Sequence, residues 1–159
     1  KTEVNFAKKI EEDTTNIDIR INNCFVNASK NYLTKLKELW IDFVSNIEDA
    51  LVKGLVTDTL VVTASDTYAI VEVTIPHKDR EINNKLNDIE DLFNKYNNTK
   101  YKLVFIDTDK WNKEKSSYIT NIKNGYKYTY KDEVKLDNKD EINMSELKDI
   151  FDIDKIEVE

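Results

Sequence analysis

One histidine, His77, and one cysteine, Cys24, are the only side chains of their kinds in 159 residues. A zinc site draws its ligands from clustered Cys and His, and a Cys–His or Ser–His nucleophile system needs a base beside its nucleophile, so neither can be assembled from this pair. His77 follows Pro76 and has no second His or nearby Cys, which makes it a structural or solvated imidazole. Cys24 has no basic neighbour to lower its pKa and is expected to be an inert, partly buried thiol. Asp107-Thr108-Asp109 has the two-carboxylate spacing that magnesium sites use, yet strand-end and helix-cap duties account for both acids. The two glycines, Gly54 and Gly125, stand 71 positions apart, so no loop can bring successive backbone amides onto a phosphate, and a P-loop or dinucleotide fingerprint is excluded. No catalytic residue, metal or cofactor is expected.

The elements that would position any site can be read from periodicity. Residues 1–18 are polar, without a sustained period, and read as a linker or appended end. From Ser29, apolar side chains recur at Leu33, Leu36, Trp40, Phe43, Val44, Ile47 and Leu51, which predicts a long amphipathic helix stopped by Gly54. TLVVTAS and YAIVEVTI, separated by Ser65-Asp66-Thr67, predict a hairpin of antiparallel strands, with Ala69, Val71, Val73 and Ile75 on one face. Pro76 ends the second strand, and Asp79 can cap a helix over 80–97 whose stripe is Ile82, Leu86, Ile89, Phe93 and Tyr96. YKLVFI, residues 101–106, predicts a third strand. A helix capped by Asp109, carrying Trp111, Tyr118 and Ile122, then runs to Asn124-Gly125. YKYTY, residues 126–130, alternates like a short edge strand. The order helix-strand-strand-helix-strand-helix predicts an α+β two-layer sandwich, with helices on one face of a small, mostly antiparallel sheet. Trp40 and Trp111 lie on apolar stripes and are expected in the core.

Charge divides the chain further. Residues 131–159 carry eleven Asp and Glu against five Lys, a balance of −6 that leaves −1 of the total −7 for residues 1–130. An acidic chain of pI near 4.9 is repelled by a polynucleotide unless its lysines gather on one face, so nucleic acid is the second choice of partner. Residues 19–130 form the expected domain, residues 131–144 a charged linker, and residues 145–159, SELKDIFDIDKIEVE, an acidic segment studded with Leu147, Ile150, Phe151, Ile153 and Ile156. Those five apolar residues are the candidate partner-binding set, either ordered on a partner's groove or folded back on the domain. Asparagine-rich stretches such as Asn83-Asn84 and Asn97-Asn98 fit a coding bias toward Asn, Lys and Ile and are read as background. No apolar run approaches the roughly 18 residues of a membrane span, and the start has no charged-then-apolar signal, so a cytoplasmic protein is expected.

Four stretches carry a family resemblance: ASKNYLTKLKELW ending at Trp40, YAIVEVTIPH from Tyr68 to His77, LVFIDTDKW ending at Trp111, and the closing SELKDIFDIDKIEVE. In order and spacing the chain from about Ile19 to Glu159 resembles the C-terminal region of the tau/gamma subunit of bacterial DNA polymerase III, in its Firmicute or mollicute form. Between Val56 and Thr67 it lacks the Glu-Pro pair usual in that family's hairpin. The resemblance implies a K-homology-like fold and a scaffold role. The domain would tether the catalytic subunit of the replicative polymerase and contact the helicase, while the subunit's clamp-loading ATPase lies in a part not represented here. The alternative is a K-homology-like single-stranded nucleic-acid binder, using a sheet face with Tyr68, Ile70, Lys100 and Lys102.

Overall fold

The computed structural model describes residues 2–134, with side chains from residue 13 onward. Their elements are α1 (Thr2–Val26), α2 (Lys30–Ser45), α3 (Ala50–Val56), β1 (Thr59–Ala64), β2 (Tyr68–Val73), α4 (Lys78–Asn84), α5 (Leu86–Asn97), β3 (Lys102–Asp107) and α6 (Thr108–Lys123). Residues Arg20–Lys131 make one compact unit; the described residues up to Ile19 and from Asp132 to Val134 belong to another. Within that second unit, the Asn16 side chain pairs with both backbone groups of Val134, donating to its carbonyl at 2.8 Å and accepting from its N–H at 2.7 Å.

The first unit is the expected α+β arrangement of helices on a small sheet. Strand order is β1-β2-β3, and the sheet is mixed, because β1 runs antiparallel to β2 whereas β3 runs parallel to it. A parallel neighbour needs a crossover, and α4 and α5 supply it. Val61, Ala64, Ala69, Val71, Val73, Leu103 and Phe105 lie in one buried cluster with Leu36, Trp40, Phe43, Ile82, Ile89 and Phe93 from the helices. Aromatic rings link its layers: Trp40 lies 5.4 Å from Phe43, 5.5 Å from Phe93 and 5.8 Å from Phe105. Such pairs contribute about 0.5–1.5 kcal/mol each beyond the area they bury. The Trp40 indole N–H is not stranded in this apolar setting, since it donates to Thr59 Oγ1 at 3.0 Å.

The opposite face of the sheet is covered as well. Tyr68, Ile70, Val104 and Ile106 are buried there, α6 packs against β2 and β3, and the last turns of α1 reach β2. Asn23 Nδ2 donates to the Tyr68 hydroxyl at 3.0 Å, and the Cys24 thiol donates to the Tyr68 carbonyl at 3.7 Å.

Several boundaries differ from the sequence reading, each for a local reason. The expected linker over 1–18 is helical from Thr2, part of a helix that continues to Val26. The expected long helix from Ser29 divides. Ser29 Oγ caps α2 by accepting from Tyr32 N–H, the chain breaks after Ser45, and Asp49 starts α3 by accepting from Leu51 and Val52 N–H. Gly54 therefore lies inside α3 and stops nothing, while Leu51, the last residue of the expected stripe, is exposed. The helix over 80–97 likewise splits at Lys85, whose N–H bonds back to Ile82. Of its apolar stripe, Ile82, Ile89 and Phe93 are buried and Leu86 is half-buried, whereas Tyr96 is exposed and its hydroxyl donates to Asp42 Oδ2. Capping also moves: Asp107 Oδ1, not Asp109, accepts from Lys110 N–H at α6, and α4 begins at His77, in a left-handed conformation with no side-chain cap, rather than at Asp79. Residues 126–130 form no strand.

Candidate docking groove

β3 is an outer strand, and in a strand of this kind alternate residues point their N–H and C=O groups away from the neighbour. Here side chains meet those groups one by one. Asn94 accepts from Tyr101 N–H and donates to Tyr101 C=O, both at 2.8 Å. Glu90 Oε2 accepts from Leu103 N–H at 2.9 Å while Arg20 Nη1 donates to Leu103 C=O at 2.7 Å, and the two charged groups are themselves 2.7 Å apart. Asn83 Nδ2 donates to Phe105 C=O at 3.2 Å. An edge occupied in this way at Tyr101, Leu103 and the Phe105 carbonyl is a poor ladder for an added strand.

On the other side of the unit a groove of about 410 Å³ opens between the end of α1, the start of α2, β1 and α6. Phe25, Leu33, Val62, Trp111 and Tyr118 supply apolar lining, and Lys30 and Lys115 stand beside them. The register of β1 shifts between Val61 and Thr63, a bulge that interrupts pairing at Val62, one of the lining residues. Phe25 and Tyr118 rings meet at 4.5 Å, and Tyr128 adds to both at 5.5 and 5.7 Å, so this wall is braced from behind. Lys115 Nζ lies 5.9 Å from the Trp111 ring centroid, within range of a cation–π contact that favours holding the ammonium at the site.

No family model, curated protein or solved structure matches this chain.

Among the sequence-derived candidates, Leu147, Ile150, Phe151, Ile153 and Ile156 lie outside the described residues, as does the charged linker beyond Val134. The sheet face suggested for nucleic-acid stacking is not open. Tyr68 is 9% exposed with its hydroxyl bonded to Asn23, and Ile70 is fully buried. Lys100 and Lys102 are exposed, but no free aromatic platform from β2 accompanies them. Trp40 and Trp111 are both buried as expected, the latter with its edge at the groove. Cys24 is completely buried, and removal from water pushes its thiol up to about 12, far from a nucleophile's range. His77 is exposed, and Asp107 serves as a helix cap. No group of three or more His, Cys, Asp or Glu able to hold a metal occurs among the described residues.

The asparagines were undervalued by composition. Asn23 donates to Lys131 C=O and accepts from Lys131 N–H, both at 2.9 Å, and Asn22 donates to Thr129 C=O at 2.7 Å, which holds the segment after α6 against α1. One signal lies in the sequence: Asn22-Asn23 stand between Ile21 and the apolar Cys24-Phe25-Val26, where a carboxamide needs a partner if it is buried.

Proposed function

We propose that this chain is a non-catalytic, protein-binding module of the bacterial replisome, which tethers the catalytic subunit of DNA polymerase III and keeps it near the clamp loader. The observation that carries this reading is the order and spacing of four stretches, around Trp40, Tyr68–His77, Trp111 and the closing SELKDIFDIDKIEVE, that resemble the C-terminal region of the tau/gamma subunit. The buried state of the one thiol, whose pKa is raised, fits the non-catalytic part of this reading. Tethering needs no chemistry. A linked module raises a partner's local concentration to about millimolar for short flexible linkers, so a moderate affinity suffices to couple two machines.

The acidic end would supply the grip, with Leu147, Ile150, Phe151, Ile153 and Ile156 entering an apolar groove on the polymerase and the surrounding carboxylates meeting basic surface. The helicase is the second partner in this reading, and the working compartment is the cytoplasm. No helix among the described residues is long and apolar enough to cross a membrane. The test is co-elution of the full chain with purified polymerase catalytic subunit, beside a Phe151→Asp/Ile153→Asp variant. The variant is expected to lose co-elution while its circular dichroism is unchanged. Retained co-elution would remove the acidic end from the interface.

A further inference from the structure

The groove has a charge setting unlike the rest of the chain. Residues 108–131, which include its Trp111, Lys115 and Tyr118, carry six Lys against one Asp and one Glu, a balance of +4 in a chain of −7. Lys30 and Lys115 flank an apolar lining, and both are exposed. The hydroxyls of its lining serve the local backbone, Ser29 accepting from the Tyr32 N–H at 3.2 Å and Thr63 donating to the Val62 carbonyl at 2.8 Å, so the two lysines are its main polar handles. Phe25 and Trp111 are at most 9% exposed, which leaves the half-buried Tyr118 as the one lining ring a base could meet, a poor platform for a polynucleotide.

We propose that this groove receives an acidic segment of another protein, whose apolar side chains enter between Leu33, Val62 and Tyr118 while its carboxylates meet Lys30 and Lys115. Apolar contact supplies the affinity, and the lysines supply approach and selection against basic segments. The proposal rests on other residues than those invoked above, and it stands whether or not the polymerase is the tethered partner.

The probe is a fluorescent 15-residue peptide alternating Asp or Glu with Leu, Ile and Phe, titrated onto the full chain and followed by anisotropy. A peptide with every acid replaced by Lys and a labelled oligothymidine run alongside. The acidic peptide is expected to bind, and Lys30→Glu/Lys115→Glu to weaken it by about tenfold or more. Leu33→Asp is expected to weaken it comparably, with circular dichroism reporting that each variant is folded. Should Leu33→Asp fail to fold, the double lysine variant decides alone, because both of its positions are exposed. Equal binding of the acidic and Lys peptides, no loss in the lysine variant, or oligothymidine binding that is lost in step with the peptide would overturn the proposal. The last outcome would make the surface a polyanion site.

Discussion

At the residue scale, the Arg20–Glu90 pair illustrates how a charge can be kept inside a small domain. Both side chains are largely buried, 11% and 16% exposed, and each also serves one backbone group of Leu103. Removing one member strands the other, which costs about 3–5 kcal/mol when a pair is fully buried and somewhat less at this exposure. Arg20→Met is therefore expected to lower the urea midpoint strongly, and Arg20→Met/Glu90→Leu to lower it less than Arg20→Met alone, in a double-mutant cycle. Additive losses would contradict the coupling. Cys24 gives a pH test. Burial raises its pKa from 9.0 to about 12, so the folded state favours the neutral thiol. That contribution is complete below pH 9 and is lost as pH climbs from 9 toward 12, because the unfolded chain releases its proton first. Stability is expected to fall more steeply above pH 9 in the native chain than in Cys24→Ala, measured by urea unfolding on either side of pH 9. Equal slopes would show that the thiol is not protected.

Elements show how far sequence patterns reach. The two glycines are expected to respond oppositely to alanine. Gly125 sits at φ +80, where Tyr126 N–H bonds to Asn121 C=O and Gly125 N–H to Ile122 C=O, the paired bonds of a helix ended by a left-handed residue. Gly125→Ala is expected to cost about 1–2 kcal/mol, whereas Gly54→Ala, inside α3 with open space at its Cβ, should add up to about 1 kcal/mol. Thermal unfolding of the two variants checks both signs. Asn124-Gly125 was legible as a stop because its reason is local, and the β2, β3 and α5 stripes were legible because burial imposes their period. Gly54 misled because the same local rule was applied to a helix that had already ended at Ser45, where Asn46 and Asp49 divide the chain. α1 was missed for another reason: its first turns mix Val4, Phe6, Ala7 and Ile10 with charged residues, the stretch Glu11–Asn16 is polar throughout, and the spacing Ile17, Ile21, Cys24 and Phe25 follows only after it. Beyond the hint that buried carboxamides need partners, the identity of those partners could not be read, since Asn23 bonds a backbone 108 positions away. Asn23→Ala is expected to cost about 1–3 kcal/mol and to speed amide hydrogen exchange at Lys131. Unchanged exchange there would mean the carboxamide does not hold that segment.

For the whole molecule, the distribution of charge matters more than its sum. Residues 108–131 carry a balance of +4 and residues 132–159 one of −7, so the sequence holds two segments of opposite charge preference rather than one uniform distribution. The proposed tether would work by holding and would need no reactive centre, and the five apolar side chains of the closing segment are its proposed binding set. The measurement that bears most directly on this reading is capture of the purified catalytic subunit of the replicative polymerase by the immobilised full chain, in buffer of low ionic strength. Retention of that subunit, lost when Phe151 and Ile153 are replaced by Asp, is the expected result. Passage of the subunit through the column unretained would contradict the tether.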